Sequence, residues 1–88
     1  MTDTLHLEII TAGGAIVDTQ TTQVTLPLAD GEVGILPGHA PLLGALMCGV
    51  VRYTAAGKEH YCAVSPGTVN VAAGNVTVLA RTAELQKT

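Results

Sequence analysis

The chain has 88 residues, which fits one domain able to bury somewhat over ~60% of its unfolded surface. Its net charge is −3, and Arg52, Lys58, Arg81 and Lys87 form no patch, which argues against a nucleic-acid partner. With no Phe or Trp, and only Tyr53 and Tyr61 aromatic, the core has to be packed from Val, Leu, Ile and Ala.

Thr4 to Ile10 alternates, with Leu5, Leu7 and Ile9 on one face and His6 and Glu8 on the other, the pattern of a half-buried strand. Ala12-Gly13-Gly14 turns the chain into a short return strand at Ala15 to Val17. Thr21 to Leu28 alternates again, with Val24, Leu26 and Leu28 inward and Pro27 marking an edge or a strand end. Leu43 to Met47 is compatible with a strand or a short helical turn. Val50 to Ala55 and Lys58 to Val64 read as strands joined at Ala56-Gly57, and Thr68 to Val71 and Val76 to Ala80 as strands joined at Ala73-Gly74-Asn75. Short strands with turn chemistry every 8–12 residues, and no sustained helical period, predict an all-β fold: a two-sheet antiparallel β-sandwich with no helical domain. The sandwich is expected over residues 1–83, with 84–88 as a short polar tail; Arg81 to Thr88 is polar and too short for a stable helix of its own.

The stretch from Gly31 to Leu43, G-E-V-G-I-L-P-G-H-A-P-L-L, concentrates backbone punctuators between two apolar runs. Pro37-Gly38 suits the central positions of a type II turn, and Pro41 biases Ala40 toward an extended conformation. The stretch is read as a shaped loop whose surface is used. His39 is either a contact or titrating residue there or, the favoured reading, a brace whose ring nitrogens bond backbone groups around the turn.

Catalytic constellations are sparse. His6 and Glu8 could offer two metal ligands, but a third is not evident from the sequence. Asp30 and Glu32 could form an acid pair, although turns carry acids for hydrogen bonding alone. Cys48 or Cys62 with His60 lies in no recognisable nucleophile turn. Neither a Walker-type loop nor G-x-G-x-x-G is present. No catalytic, metal, cofactor or nucleotide site is therefore expected. The two cysteines have no metal-like spacing and are expected to be reduced, buried thiols of a cytoplasmic protein. No secretion signal opens the chain, and the apolar run from Ile35 to Val51 is broken by Gly and Pro. Only 12% of residues are charged while 48% are hydrophobic, so some apolar surface is expected to meet a partner.

The Gly31–Leu43 stretch closely resembles the signature of the epsilon-subunit family of F-type ATP synthases, called delta in mitochondrial naming. The opening T-L-H-L-E-I-I-T-A resembles the family's first strand. Gly67-Thr68-Val69-Asn70-Val71 and Gly74-Asn75-Val76-Thr77-Val78-Leu79-Ala80 resemble its last two, so the likeness covers residues 4–83 in order. The resemblance implies a sandwich of about ten strands in the central stalk of a proton-translocating rotor. One surface would pack on the gamma subunit, one end would touch the polar loops of the c-subunit ring, and the alpha/beta catalytic head would be reached indirectly. It further implies a non-catalytic subunit, peripheral on the cytoplasmic face of the plasma membrane or an equivalent coupling membrane. By motif position Asp30, Gly31, Glu32 and Val33 would form the ring-facing loop, with Glu32 at the family's acidic position. Gly34, Pro37, Gly38, His39 and Pro41 would shape that loop, and Leu42 onward would lead toward the gamma-facing side. Cys48 stands where the family usually has proline, and the chain stops where family members continue into a helical hairpin. Neither hairpin inhibition nor a nucleotide site is thus expected on this polypeptide. A free-standing ligand-binding β-module is the alternative, disfavoured by the scarcity of aromatics for stacking.

Overall fold

The computed structural model describes residues 4–86, which form ten strands and no helix. They are β1 Leu5–Thr11, β2 Gly14–Thr21, β3 Gln23–Leu28, β4 Gly31–Ile35 and β5 Leu42–Leu46, then β6 Gly49–Ala55, β7 Lys58–Val64, β8 Gly67–Ala72, β9 Asn75–Ala80 and β10 Ala83–Gln86. The ladder runs β10-β7-β6-β3-β5-β8-β9-β1-β2, with β4 on β3 off that path. Every pairing is antiparallel except β1 with β9, which is parallel and sets Leu7 beside Val76 and Ile9 beside Val78. The hydrogen bonding is thus one continuous sheet folded into two layers, rather than two separate antiparallel sheets.

Strand β3 joins the layers. Its first half pairs with β6 at Gln23, Val24 and Thr25, and its last residue pairs Leu28 with Leu46 of β5. Pro27 sits next to that end, where its missing N–H is not needed, and its carbonyl accepts from Met47 N at 2.8 Å. Beside it, Thr22 N donates to Thr54 O at 3.0 Å, while Thr21, the one buried polar side chain among the described residues, donates its hydroxyl to the same carbonyl. The alternation read from the sequence falls in register: Leu5, Leu7, Ile9, Val24 and Leu26 are buried, and Leu28 is half-buried against them. Val69, Val71, Val76 and Val78 close the core from β8 and β9.

Two strands are absent from the sequence reading. β4 lies inside the supposed loop, and β10 takes Glu84, Leu85 and Gln86 from the supposed tail to pair with β7 at Ala63, Cys62 and Tyr61. Neither advertises itself, because β4 buries only Ile35 fully and β10 buries none of its residues fully. They are held mainly by ladder bonds, with Val33 and Ile35 of β4 and Ala83 of β10 reaching the core. Residues 87 and 88 of the tail lie outside the described residues. β2 is also longer than its alternation suggested, Gly14–Thr21, with a bulge opposite Ile9 and Ile10. The ambiguous Leu43–Met47 stretch resolves as strand β5. The hairpins at Ala56-Gly57 and Ala73-Gly74 have positive φ at both central residues (53° and 77°, 52° and 81°), the type I′ turn whose twist matches the flanking strands.

Of the glycines, Gly67 has the least room: a Cβ there would sit 1.8 Å from Leu79 O and 2.8 Å from Leu79 C. Backbone cannot step aside as a flexible side chain can. Gly67→Ala is therefore expected to lower stability by about 1–3 kcal/mol or more. Gly34→Ala, which meets nothing within 4 Å, is expected to stay within about 0.5 kcal/mol of the parent chain. Urea unfolding midpoints at constant slope measure the difference.

Candidate functional site: an acid-tipped hairpin and an uncharged flank

The Gly31–Leu43 stretch is not one loop. Ala29-Asp30 turns the chain, and Gly31 to Ile35 then runs back along β3, pairing Gly31 with Leu28 and Ile35 with Val24. An irregular segment from Leu36 to Pro41 leads into β5. The two irregular parts therefore lie at opposite ends of β4, four residue steps apart, or about 13 Å at 3.3 Å per step. Asp30, Gly31 and Glu32 form the exposed tip, but Val33 is half-buried against the core on the inward face of β4. Pro37, Gly38, His39 and Pro41 lie beyond β4 from that tip, and Gly34 sits within the β4 ladder opposite Thr25, so this set does not form one loop with the tip.

At the far end the Pro37-Gly38 turn is as read. Gly38 has φ 88° and His39 N donates to Leu36 O at 3.0 Å, closing a type II turn. His39 is exposed, and its Nδ1 contacts the carbonyl of its own neighbour Ala40 at 2.6 Å. This contact lies downstream of the turn, so it does not supply the expected brace around Pro37-Gly38.

At the tip Glu32 has an intramolecular partner that the sequence reading missed. Arg52 Nη2 donates to Glu32 Oε1 at 3.1 Å, with both side chains well exposed. The contact arises because β3 lies between β4 and β6, pairing Thr25 with both Gly34 and Arg52. Only the order of strands in the sheet reveals it. Met47 and Cys48, which link β5 to β6, sit at the same end, as the Met47 N to Pro27 O bond requires.

The two outer faces differ in charge. The face of β3, β6, β7 and β10 carries Arg52, Glu59 and Glu84. On the other layer the outward positions of β5, β8 and β9 are Leu43, Ala45, Thr68, Asn70, Ala72, Asn75, Thr77 and Leu79, none of them charged. Leu43 is 81% exposed and Leu79 48%, and shallow apolar depressions flank Leu43 between β5 and β8. A leucine that exposed on a flat strand face is solvated at a cost that a partner's surface would remove.

His60 stacks on Tyr53 with ring centroids 5.2 Å apart and is not joined to a cysteine. Cys62 is buried, and burial pushes its thiol pKa up, which keeps it protonated and inert. Cys48 is exposed in the β5–β6 connection, against the expectation that both thiols are buried; both are free. His6 and Glu8 share the outer face of β1, and the pairing with β2 sets Asp18 directly opposite Glu8. His6 Nε2 contacts Asp18 Oδ1 at 2.5 Å.

That contact raises the His6 pKa above its ordinary 6.5, the Asp18 hydrogen bond outweighing partial desolvation. A raised native pKa means the contact stabilises fully below pH 6.5, and its contribution fades as pH rises through the native value. The His6 ring resonances are expected to titrate above 6.5 in an NMR pH series, and Asp18→Asn to bring the midpoint back toward 6.5.

With this geometry in place, the chain was compared with known proteins. It matches the family described as ATP synthase, Delta/Epsilon chain, beta-sandwich domain over residues 4–86. An ATP synthase epsilon chain of Lawsonia intracellularis is 45% identical over 84 residues, covering 96% of this chain and 63% of the relative. One of Desulfitobacterium hafniense is 43% identical, covering 96% and 64%. The chain thus spans just under two thirds of the length of these curated relatives. Among solved structures, a chain of the Euglena gracilis mitochondrial ATP synthase, in its OSCP/F1/c-ring assembly, superposes with TM-score 0.89 at 22% identity, covering 97% of this chain and 55% of that one. A chain of the Tetrahymena thermophila mitochondrial ATP synthase central stalk and c-ring gives 0.75 at 12%, covering 90% and 64%. These two likenesses concern the fold. Residues 4–86, with ten strands in the order described, belong to the β-sandwich domain family of ATP synthase delta/epsilon chains.

Proposed function

We propose that this domain is a non-catalytic part of the rotor stalk of a proton-translocating F-type ATP synthase, coupling rotation of the c-subunit ring to the gamma subunit and so to ATP synthesis in the alpha/beta head. The observation that carries this reading is the division of the surface. An uncharged flank with Leu43 81% exposed lies on one layer, and an acid-tipped hairpin projects at one end. Two unlike surfaces suit two unlike neighbours. The flank of β5, β8 and β9 would seat on gamma, burying with it well over ~1,000 Å² in total, as a lasting contact requires. The Asp30–Glu32 tip would meet the polar loops of the ring, where its carboxylates add orientation and specificity more than affinity. The Pro37–Pro41 segment, at the opposite end, would set the entry of β5 into the flank rather than shape the tip. The domain would be peripheral to its coupling membrane, on the cytoplasmic face in a cell whose plasma membrane carries the enzyme.

The Arg52 contact adds a condition. In the free domain the Glu32 carboxylate is already turned toward Arg52, so a cationic or amide group on the ring would share or replace that guanidinium. An exposed ion pair contributes ~0–1 kcal/mol, so its loss should not unfold the domain. Glu32→Lys is therefore expected to fold with a near-parental melting temperature, to co-purify with gamma, and to lower proton-coupled ATP synthesis in membranes that carry it. Leu43→Glu is expected to do the reverse, releasing the domain from gamma. Full coupling in Glu32→Lys membranes, or retention of Leu43→Glu on gamma, would count against the assignment of these surfaces.

A further inference from the structure

The outer face of β1 and β2 carries an arrangement that the stalk role does not use. Glu8 and Asp18 are direct cross-strand partners, so two carboxylates face each other on one side of an antiparallel pair, which is unfavourable unless something positive lies between them. Neither has a lysine or arginine partner among the described residues. His6, one pleat along on the same face, brings its imidazole to the same point. One ligand atom from each of His6, Glu8 and Asp18 lies within 4.8 Å of the other two. The hydrogen bond to Asp18 satisfies His6, while the Glu8 carboxylate makes no hydrogen bond or ion pair of its own among the described residues.

We propose that His6, Glu8 and Asp18 form a surface site for a divalent transition-metal ion of the zinc type, clipping β1 to β2. One imidazole nitrogen and two carboxylate oxygens are a donor set suited to Zn²⁺, Co²⁺ or Mn²⁺. Mg²⁺ is excluded by preference, since it favours oxygen ligands and retains its waters. Ligand bonds of about 2.0–2.2 Å need donor atoms somewhat over 3 Å apart. Small side-chain rotations supply this: the Glu8 carboxylate moves in, and the His6–Asp18 contact opens as the ion takes the place of the proton between them. With three protein ligands on an outward face, the fourth position is open to water. The register makes the site, since β1 brings two of the ligands and β2 the third.

The test is a titration of the full chain with ZnCl₂ in a non-chelating buffer, followed by calorimetry and by amide and imidazole NMR, on a Cys48→Ser background that removes the exposed thiol. One ion per chain is expected, with shifts confined to His6, Glu8, Asp18 and their neighbours, a raised melting temperature, and no such shifts with millimolar Mg²⁺. His6→Gln and Asp18→Asn should each weaken binding at least about tenfold, while His39→Gln leaves it unchanged. Each variant's amide spectrum shows whether the fold is retained, and Glu8→Gln offers a third ligand change should one of them be perturbed. Affinity that survives loss of His6, shifts that map to His39 or His60, or only unsaturable millimolar binding would overturn the site.

Discussion

The fold depends on β3 being bonded along both edges. On one side it carries β4, and on the other it passes from β6 to β5 within six residues. That hand-over lets a single hydrogen-bonded ladder make two layers. Without Phe or Trp, and with Tyr53 the one buried aromatic among the described residues, the interior has few large side chains to bridge a gap between loosely held sheets. Valine and leucine fill the space only if backbone spacing keeps the layers close. The close approach of Gly67 to the Leu79 carbonyl serves the same need on the β8–β9 side.

Ladder and core together account for how the surface is shared out. Because alternate residues of each strand point in opposite directions, β5, β8 and β9 could present an uncharged flank while committing Leu46, Val69, Val71, Val76 and Val78 to the interior. Charges are concentrated on the opposite layer and on the β1–β2 pair. The Glu32 and Arg52 side chains meet because three strands lie side by side, so the electrostatic character of the tip is a property of the sheet and not of a loop motif.

Much of the architecture was legible from period-two alternation and turn residues. The inward sets of β1, β3, β8 and β9 follow from alternation alone, and the Ala56-Gly57, Ala73-Gly74 and Pro37-Gly38 turns from local chemistry. What escaped was whatever rested on pairing between distant strands. β4 and β10 offer only a short apolar alternation, Val33 with Ile35 and Ala83 with Leu85, and depend on the free backbone groups of a neighbouring strand. The Gly31–Leu43 stretch looked like one loop because Gly31 and Gly34 resemble punctuation, whereas both sit in the β4 ladder. Arg52 beside Glu32, and Asp18 beside His6, needed the register, which composition and spacing do not encode.

The parallel contact of β1 with β9 sets an order of events during synthesis. His6 lies next to Asn75, and the amide of His6 donates to the carbonyl of Gly74, so β1 finds its second neighbour only once β9 has been made. Until then β1 can pair only with β2, exposing a bare edge along its other side. Long-separated pairing is slow to form, and an unpaired apolar strand invites strangers. The polar His6 and Glu8 on the outward face of β1 leave the waiting hairpin less apolar surface, while its backbone edge stays open until β9 arrives.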